Sequence, residues 1–209
     1  MEFADLVSPI VRLRSNLAGE HALLVGISGI DASGKGYVTE KLSQELSSRG
    51  YRTAVIGVDG WLNLPHIRFD HSDLAGNFYR NAIRFDEMLD QLVLPLRRDR
   101  SINLLADFAE ETAAEYRKHN YRFDDIDIIL LEGIFLFKRE FVHYYDLKIW
   151  IDCPFETALE RAIARSQEGL SPEETISAYE TTYFPAQRIH FDRDDPRAAD
   201  LLIDNSDGS

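Results

Sequence analysis

The chain has 209 residues, 44% of them hydrophobic, with 36 acidic against 23 basic side chains and a formal net charge of −13. That length and apolar content suffice for one sizeable core, and residues 1–209 read as one domain with small excursions. The acidic balance argues against a nucleic acid or an anionic membrane as partner, because both require a surplus of Lys and Arg.

The segment EFADLVSPIVRLRSNLAG carries apolar residues at helical spacing and ends in Gly19, which predicts a short amphipathic helix. HALLVGIS reads as a buried strand. KGYVTEKLSQELSSRGY reads as a helix that places Val38, Leu42 and Leu46 on one face and closes at Gly50. TAVIGVD is a second buried strand. From Gly60 to Asn81 the chain is aromatic, His-bearing and poorly periodic, as expected of a long functional loop or short helix near strand ends. FDEMLDQLVLPLRRD predicts a helix stopped near Pro95, SINLL a short strand, and DFAEETAAEYRKH a charged helix. IDIILLEG and DLKIWID are two more apolar strands, PFETALERAIARSQEG and SPEETISAYETTYFPAQRIHF are helices, and ADLLIDN is a last short strand. Continuous apolar strands alternating with helices predict an α/β fold of three layers, a mostly parallel five-stranded sheet with helices on both faces.

The lone cysteine, Cys153, stands at a strand end in IWIDCPFE and reads as a small buried filler. It cannot form an internal disulfide. The chain also shows neither a secretory apolar core near its start nor a run of about 18 apolar residues, so the expected setting is the reducing cytoplasm.

GIDASGKG, residues 29–36, matches the phosphate-loop pattern G-x-x-x-x-G-K up to its last position, where Gly36 replaces a Ser or Thr. Between a buried strand and an amphipathic helix, backbone N–H groups and the helix N-terminus converge on an anion-sized hollow. Gly29, Asp31, Ala32, Ser33, Gly34, Lys35, Gly36 and Tyr37 are therefore assigned to nucleotide phosphates, with Lys35 reaching the β- and γ-phosphates. Gly36 lacks the hydroxyl that ordinarily binds Mg²⁺, and Thr39 lies a helical turn further on. Asp59 and Glu132, each closing a buried run ahead of a Gly, are the candidate metal carboxylates, completed by phosphate and water.

These residues resemble the uridine kinase branch of the P-loop small-molecule kinases, over nearly the whole chain from Leu23 to Asn205. VDGWLN is similar to the family's second-strand Asp motif, NFYRNAIRFDEMLDQLVLPL to its Asn-Phe to Phe-Asp segment, LLADF to its strand ending in Asp-Phe, and LLEGIFLF to its Glu-Gly-Ile motif. IDCPFETALERAIAR resembles the strand and Arg-bearing helix before the lid, and YFPAQRIHF with ADLLIDN the closing helix and strand. The resemblance implies a P-loop kinase fold with ATP and Mg²⁺ as cofactors. It makes Asp59 the general base and metal neighbour, Glu132 the metal ligand, and Arg161 or Arg165 a clamp on the transferring phosphoryl group. An ordinary surface pairing of those arginines with Glu160 or Glu156 stays open. The acceptor excursion would span about residues 60–122 and the lid about 165–172.

The departures fall on the acceptor side. Ala106 stands where the family has a Tyr before Asp-Phe, AEETAAEY carries no His, and Tyr79 replaces an Asp that holds sugar hydroxyls. His66, Arg68, Tyr79, Arg80, Asp107 and Phe108 are the candidate acceptor contacts. The expected activity is ATP-dependent phosphorylation of a small-molecule hydroxyl, most simply of a nucleoside such as uridine or cytidine. An anionic or sugar-like acceptor, and a non-catalytic nucleotide-binding module, are the alternatives. Self-association is left open.

Overall fold

The computed structural model describes residues 4–17, 19–70, 72–165 and 169–206. Its elements in chain order begin with α1 (Ala4–Asn16), β1 (Leu23–Gly29), α2 (Lys35–Ser48) and β2 (Thr53–Gly57). A 3-10 turn (Val58–Trp61) leads to α3 (Pro65–Arg68), α4 (Leu74–Asn81), α5 (Phe85–Met88) and α6 (Leu94–Asp99). Strands β3 (Ile102–Phe108), β4 (Arg117–Phe123), β5 (Ile128–Gly133) and β6 (Leu147–Asp152) follow. The chain ends with α7 (Phe155–Arg165), α8 (Pro172–Ala178), α9 (Phe184–Asp194) and β7 (Leu201–Asp204).

Five strands form one all-parallel sheet in the order β2-β5-β1-β6-β7. The unbroken apolar runs of β1 and β5 conceal a period of two. Leu23, Val25 and Ile27 of β1, with Ile128 and Leu130 of β5, pack on Leu6, Val7 and Ile10 of α1 and on Val38, Leu42 and Leu46 of α2. Leu24 with Ile129 and Leu131 face the opposite way, into a larger core that contains Phe78, Met88, Leu92, Ala158 and Phe184. Alternate residues thus feed two cores, each fully buried Leu or Ile contributing about 1.5–3 kcal/mol, and a central strand tolerates no polar residue without a partner. Ser28 obeys this rule: its hydroxyl is buried and donates to the Gly133 carbonyl at 2.9 Å, across the β1–β5 pairing.

Two expectations change. DFAEETAAEYRKH is not a helix; β3 and β4 form a separate antiparallel hairpin, in register from Ile102 opposite Phe123 to Phe108 opposite Arg117. Helix propensity loses to tertiary contact here. Tyr121 stacks on Trp61 with ring centroids 5.6 Å apart, and a Cβ on Gly60 would lie 2.7 Å from the Tyr121 hydroxyl, so the hairpin is seated directly on the turn after β2. Pro95 does not stop its helix either. A π-type turn, Leu89–Val93, joins α5 to α6 and absorbs the missing N–H. The same device, Tyr179–Tyr183, joins α8 to α9 immediately ahead of Pro185.

Beneath α9 lies a buried polar group. The Tyr79 hydroxyl donates to Asp194 Oδ2 at 2.6 Å, and His190 Nδ1 meets the same oxygen at 2.7 Å. Burial pushes the His190 imidazole below its ordinary range, so at neutral pH the uncharged ring donates to Asp194. Close by, the Lys138 ammonium donates to the Tyr79 carbonyl at 2.6 Å and lies 4.5 Å from that ring's centroid. Burial pushes Lys138 down to about 8, with Glu140 and Asp194 opposing.

The sign of the resulting pH dependence follows from proton counts. The unfolded chain keeps the Lys138 proton to about pH 10.4, so between about pH 8 and 10 the unfolded state holds more protons and stability should rise with pH, by up to roughly 3 kcal/mol. Above about pH 10 the trend should reverse, because burial raises Tyr79 and Tyr145, which ionise more readily once unfolded. Urea unfolding at successive pH values should show the rise in the natural protein and its loss in Lys138→Met. An equal rise in both would assign it elsewhere.

Candidate functional site

The loop after β1 is shaped by backbone rather than by side chains. Ala32 has φ 56° and Gly34 φ 92°, left-handed conformations that turn successive N–H groups toward one hollow. Gly34 has a second reason to lack a side chain: a Cβ there would collide with the carboxamide of Asn205. That carboxamide donates to the Ser33 carbonyl at 2.7 Å, and the Asn205 N–H donates to Asp152 at 2.8 Å, so the tail after β7 props the loop from below. Lys35 opens α2, is almost fully buried, and donates from Nζ to the Ile30 carbonyl at 2.9 Å, inside its own loop.

The sheet register brings acids to the same place. Glu132 on β5 lies between Ile27 of β1 and Gly57 of β2, and Asp59 stands two residues beyond Gly57, in the 3-10 turn rather than on the strand itself. Burial pushes both carboxyls above their ordinary ranges. The Lys35 ammonium opposes the rise at each, and the Asp31 charge adds to it. Acids raised in this way gain from a cation brought among them.

Asp59 and Glu132 suit a hard divalent ion, but no three His, Cys, Asp or Glu groups among the described residues are placed to hold a metal by themselves. Two carboxylates completed by phosphate oxygens and water are the donor set that Mg²⁺ ordinarily accepts. Thr39 does not substitute for the missing loop hydroxyl, since its Oγ1 donates to the Lys35 carbonyl at 2.9 Å. At Gly36 a Cβ would meet nothing within 4 Å. The position is therefore open to the cleft rather than filled by a neighbour.

A cleft of about 1030 Å³ runs from the loop across the strand ends. It is lined by Asp31, Ala32, Gly34, Lys35, Gly36, Tyr37, Asp59, Arg68, Phe108, Glu132 and Arg165, all expected from the sequence. Gly29 ends β1 and Ser33 is buried within the loop, so both lie behind this surface.

Four of the expected acceptor residues stand elsewhere. The Tyr79 hydroxyl is committed to Asp194, and Arg80 pairs with Asp73 at 2.8 Å beside a separate cavity of about 330 Å³. His66 is exposed on α3. The Asp107 carboxylate pairs with Lys118 at 2.8 Å on the hairpin. The common reason is local geometry: α4 turns Tyr79 into the core, and strand alternation carries Asp107 and Phe108 to opposite faces.

Arg161 and Arg165 also part company. Arg161 donates to the Asn205 carbonyl at 2.9 Å and to Cys153 Sγ at 3.4 Å, bracing the tail, whereas Arg165 lies 3.8 Å from Asp31 at the cleft. Residues 166–168 of the expected lid lie outside the described residues.

The structure adds residues that spacing did not mark. Glu110, Glu111 and Thr112 reach the cleft from the turn between β3 and β4, and Phe78, Tyr183 and Gln187 from α4 and the α8–α9 segment. The Tyr179 hydroxyl donates to Asp31, joining the loop to the closing helices.

No family model matches the chain. It is 30% identical over 186 residues to a uridine kinase of Macrococcus caseolyticus, covering 86% of each chain. It is 27% identical over 204 residues to uridine-cytidine kinase B of Dictyostelium discoideum, covering 88% of this chain and 78% of that one. Among solved structures, a possible uridine kinase of Bacillus stearothermophilus superposes with a TM-score of 0.74 at 21% identity, over 98% of this chain and 100% of the other.

The open space at Gly36 has a measurable consequence. Gly36→Ser should place a hydroxyl where the phosphate-loop pattern expects one. Unliganded stability should stay within about 0.5 kcal/mol, since nothing there needs to move. The Mg²⁺ concentration giving half-maximal nucleotide turnover should fall by about tenfold, for roughly 1.4 kcal/mol of added coordination. A magnesium titration showing no change would mean that Gly36 does not face the ion.

Proposed function

The chain belongs to the uridine kinase family of small-molecule kinases, and we propose that it phosphorylates a hydroxyl of a nucleoside, with ATP as donor and Mg²⁺ as cofactor. The observation that carries the acceptor assignment is the charge of the cleft beyond the phosphate loop. Asp59, Glu110 and Glu111 line it there against Arg68, whose guanidinium donates to the Glu111 backbone carbonyl. The Glu110 carboxylate is paired with Arg117 at 2.6 Å, which leaves Asp59 and Glu111 beside one guanidinium, a balance that favours a neutral hydroxylated ring over a carboxylated or phosphorylated acceptor. Phe78, Phe108 and Tyr183 in the same cleft offer the flat apolar surface that a nucleobase stacks on.

Each residue then has a task. The loop N–H groups and Lys35 hold the donor phosphates, Lys35 exchanging its Ile30 carbonyl for phosphate oxygens. Asp59 and Glu132 would hold Mg²⁺, which when bound neutralises charge on the phosphate oxygens. Asp59 accepts the proton of the acceptor hydroxyl as its oxygen attacks the terminal phosphorus and the bond to the leaving diphosphate breaks. The Lys35 ammonium opposes the rise that burial imposes on the Asp59 carboxyl and so favours the ionised form that takes that proton. Arg165, exchanging Asp31 for the transferring group, serves as the clamp, while Arg161 secures the tail that props the loop.

Asp59→Asn should lower uridine phosphorylation by about 10²–10⁴-fold while ATP binding changes only a few-fold. Coupled ADP release with uridine, cytidine and D-glycerate offered separately, alongside ATP calorimetry, reads both. Preference for D-glycerate would overturn the acceptor assignment, and unaltered transfer in the variant would overturn the role of Asp59.

A further inference from the structure

Gln187 lies on α9 among Phe184, Ala186 and His190, a face where the other side chains serve the core. It is 1% exposed, and its Oε1 is buried without a hydrogen-bond partner among the described residues. Uncharged amides seldom occupy such positions, and a carbonyl oxygen stripped of water and left unmatched destabilises the folded protein. Yet Gln187 lines the cleft rather than a closed void. The same cleft is lined by Ile134, Phe78 and Tyr183, the last two with ring centroids 5.0 Å apart and inclined at 53°. Apolar and aromatic side chains thus share the cleft with this carboxamide, whose Oε1 has accepting capacity that no described residue uses.

Resting on the kinase reading above, we propose that Gln187 determines acceptor specificity by hydrogen bonding to the edge of a nucleobase, its Oε1 accepting a base N–H. An amide is suited to this task because it presents an acceptor and a donor side by side. Rotation about its last bond exchanges the two, so one side chain matches the imide edge of uracil in one orientation and the amino edge of cytosine in the other. The free protein carries the desolvated carbonyl, and the correct acceptor relieves it. Discrimination against a base that cannot donate follows directly, because such a base would leave the same oxygen unmatched in the complex.

The test uses the full chain, natural and Gln187→Leu, with uridine and 3-methyluridine, whose ring N–H is blocked. The natural protein should favour uridine over 3-methyluridine by about tenfold in kcat/KM, and Gln187→Leu by less than about twofold. In the variant the KM for uridine should rise about tenfold while the KM for ATP stays within about twofold. The unliganded variant should melt at or up to a few degrees above the natural protein, because an unmatched carbonyl has been removed. An equal preference for uridine in both proteins overturns the inference. So does a lowered melting temperature with both KM values raised together, which would make Gln187 a packing residue. Failure of the natural protein to phosphorylate any nucleoside would instead overturn the nucleoside-acceptor reading on which the inference rests.

Discussion

The carboxyls of Asp59 and Glu132 lie where burial opposes their ionisation, and the ammonium of Lys35 is the strongest opposing charge at each. This arrangement constrains everything around it. Lys35 must open a helix directly after a left-handed residue, Glu132 must occupy the strand beside β1, and Asp59 must follow the next strand out. The sheet order β2-β5-β1 satisfies all three requirements at one end of three parallel strands. The two cores above and below the sheet serve to fix that register, since a slip of one residue would turn Glu132 away from the cleft and exchange the faces of β5.

The walls of the cleft are held with equal economy. Arg84 donates to the carbonyls of Leu62 and Asp107, pairs with Glu87 at 2.7 Å, and lies over the rings of Trp61 and Tyr116. One guanidinium therefore ties the turn carrying Asp59 to the hairpin that delivers Glu110 and Glu111. On the other side, the π-type turn before Pro185 connects α8 to α9 without a break, and that continuity sets the side chains of Tyr183 and Gln187 along the cleft. One wall is continuous helix and the other a hairpin turn tied down through Arg84, an arrangement suited to positioning an acceptor hydroxyl for in-line attack.

Much of this arrangement is legible in the sequence. The phosphate loop, Asp59 and Glu132 were readable because each adjoins a long apolar run, and strand ends in a parallel sheet point one way. The lining of the acceptor region was not. Tyr79 and Arg80 were expected there from their place in the chain, but helical rotation on α4 sends one into the core and the other to a different face. The hairpin is concealed by the Ala- and Glu-rich stretch from Asp107 to Glu115, whose local preference is helical although most of it forms the turn, and β4 is seated through Tyr121 on Trp61, tens of residues upstream. Gln187 carried no signal at all. Within a helix it reads as any surface glutamine, and only its burial and its unmatched oxygen set it apart.

The pairing of β1 with β5 also bears on how the molecule is made. Ser28 and Gly133 are 105 residues apart in sequence, yet their hydrogen bond sits at the centre of the sheet. Emerging first from the ribosome, β1 must wait for both of its neighbours, and at about 5–20 residues per second that interval is roughly 5–20 s. Throughout it, a largely apolar strand with two unpaired edges is exposed to other nascent chains. Only α1 and α2 are available to cover it early, and they cover one face. The topology that gathers the acids around Lys35 therefore leaves β1 waiting for later strands on both of its edges.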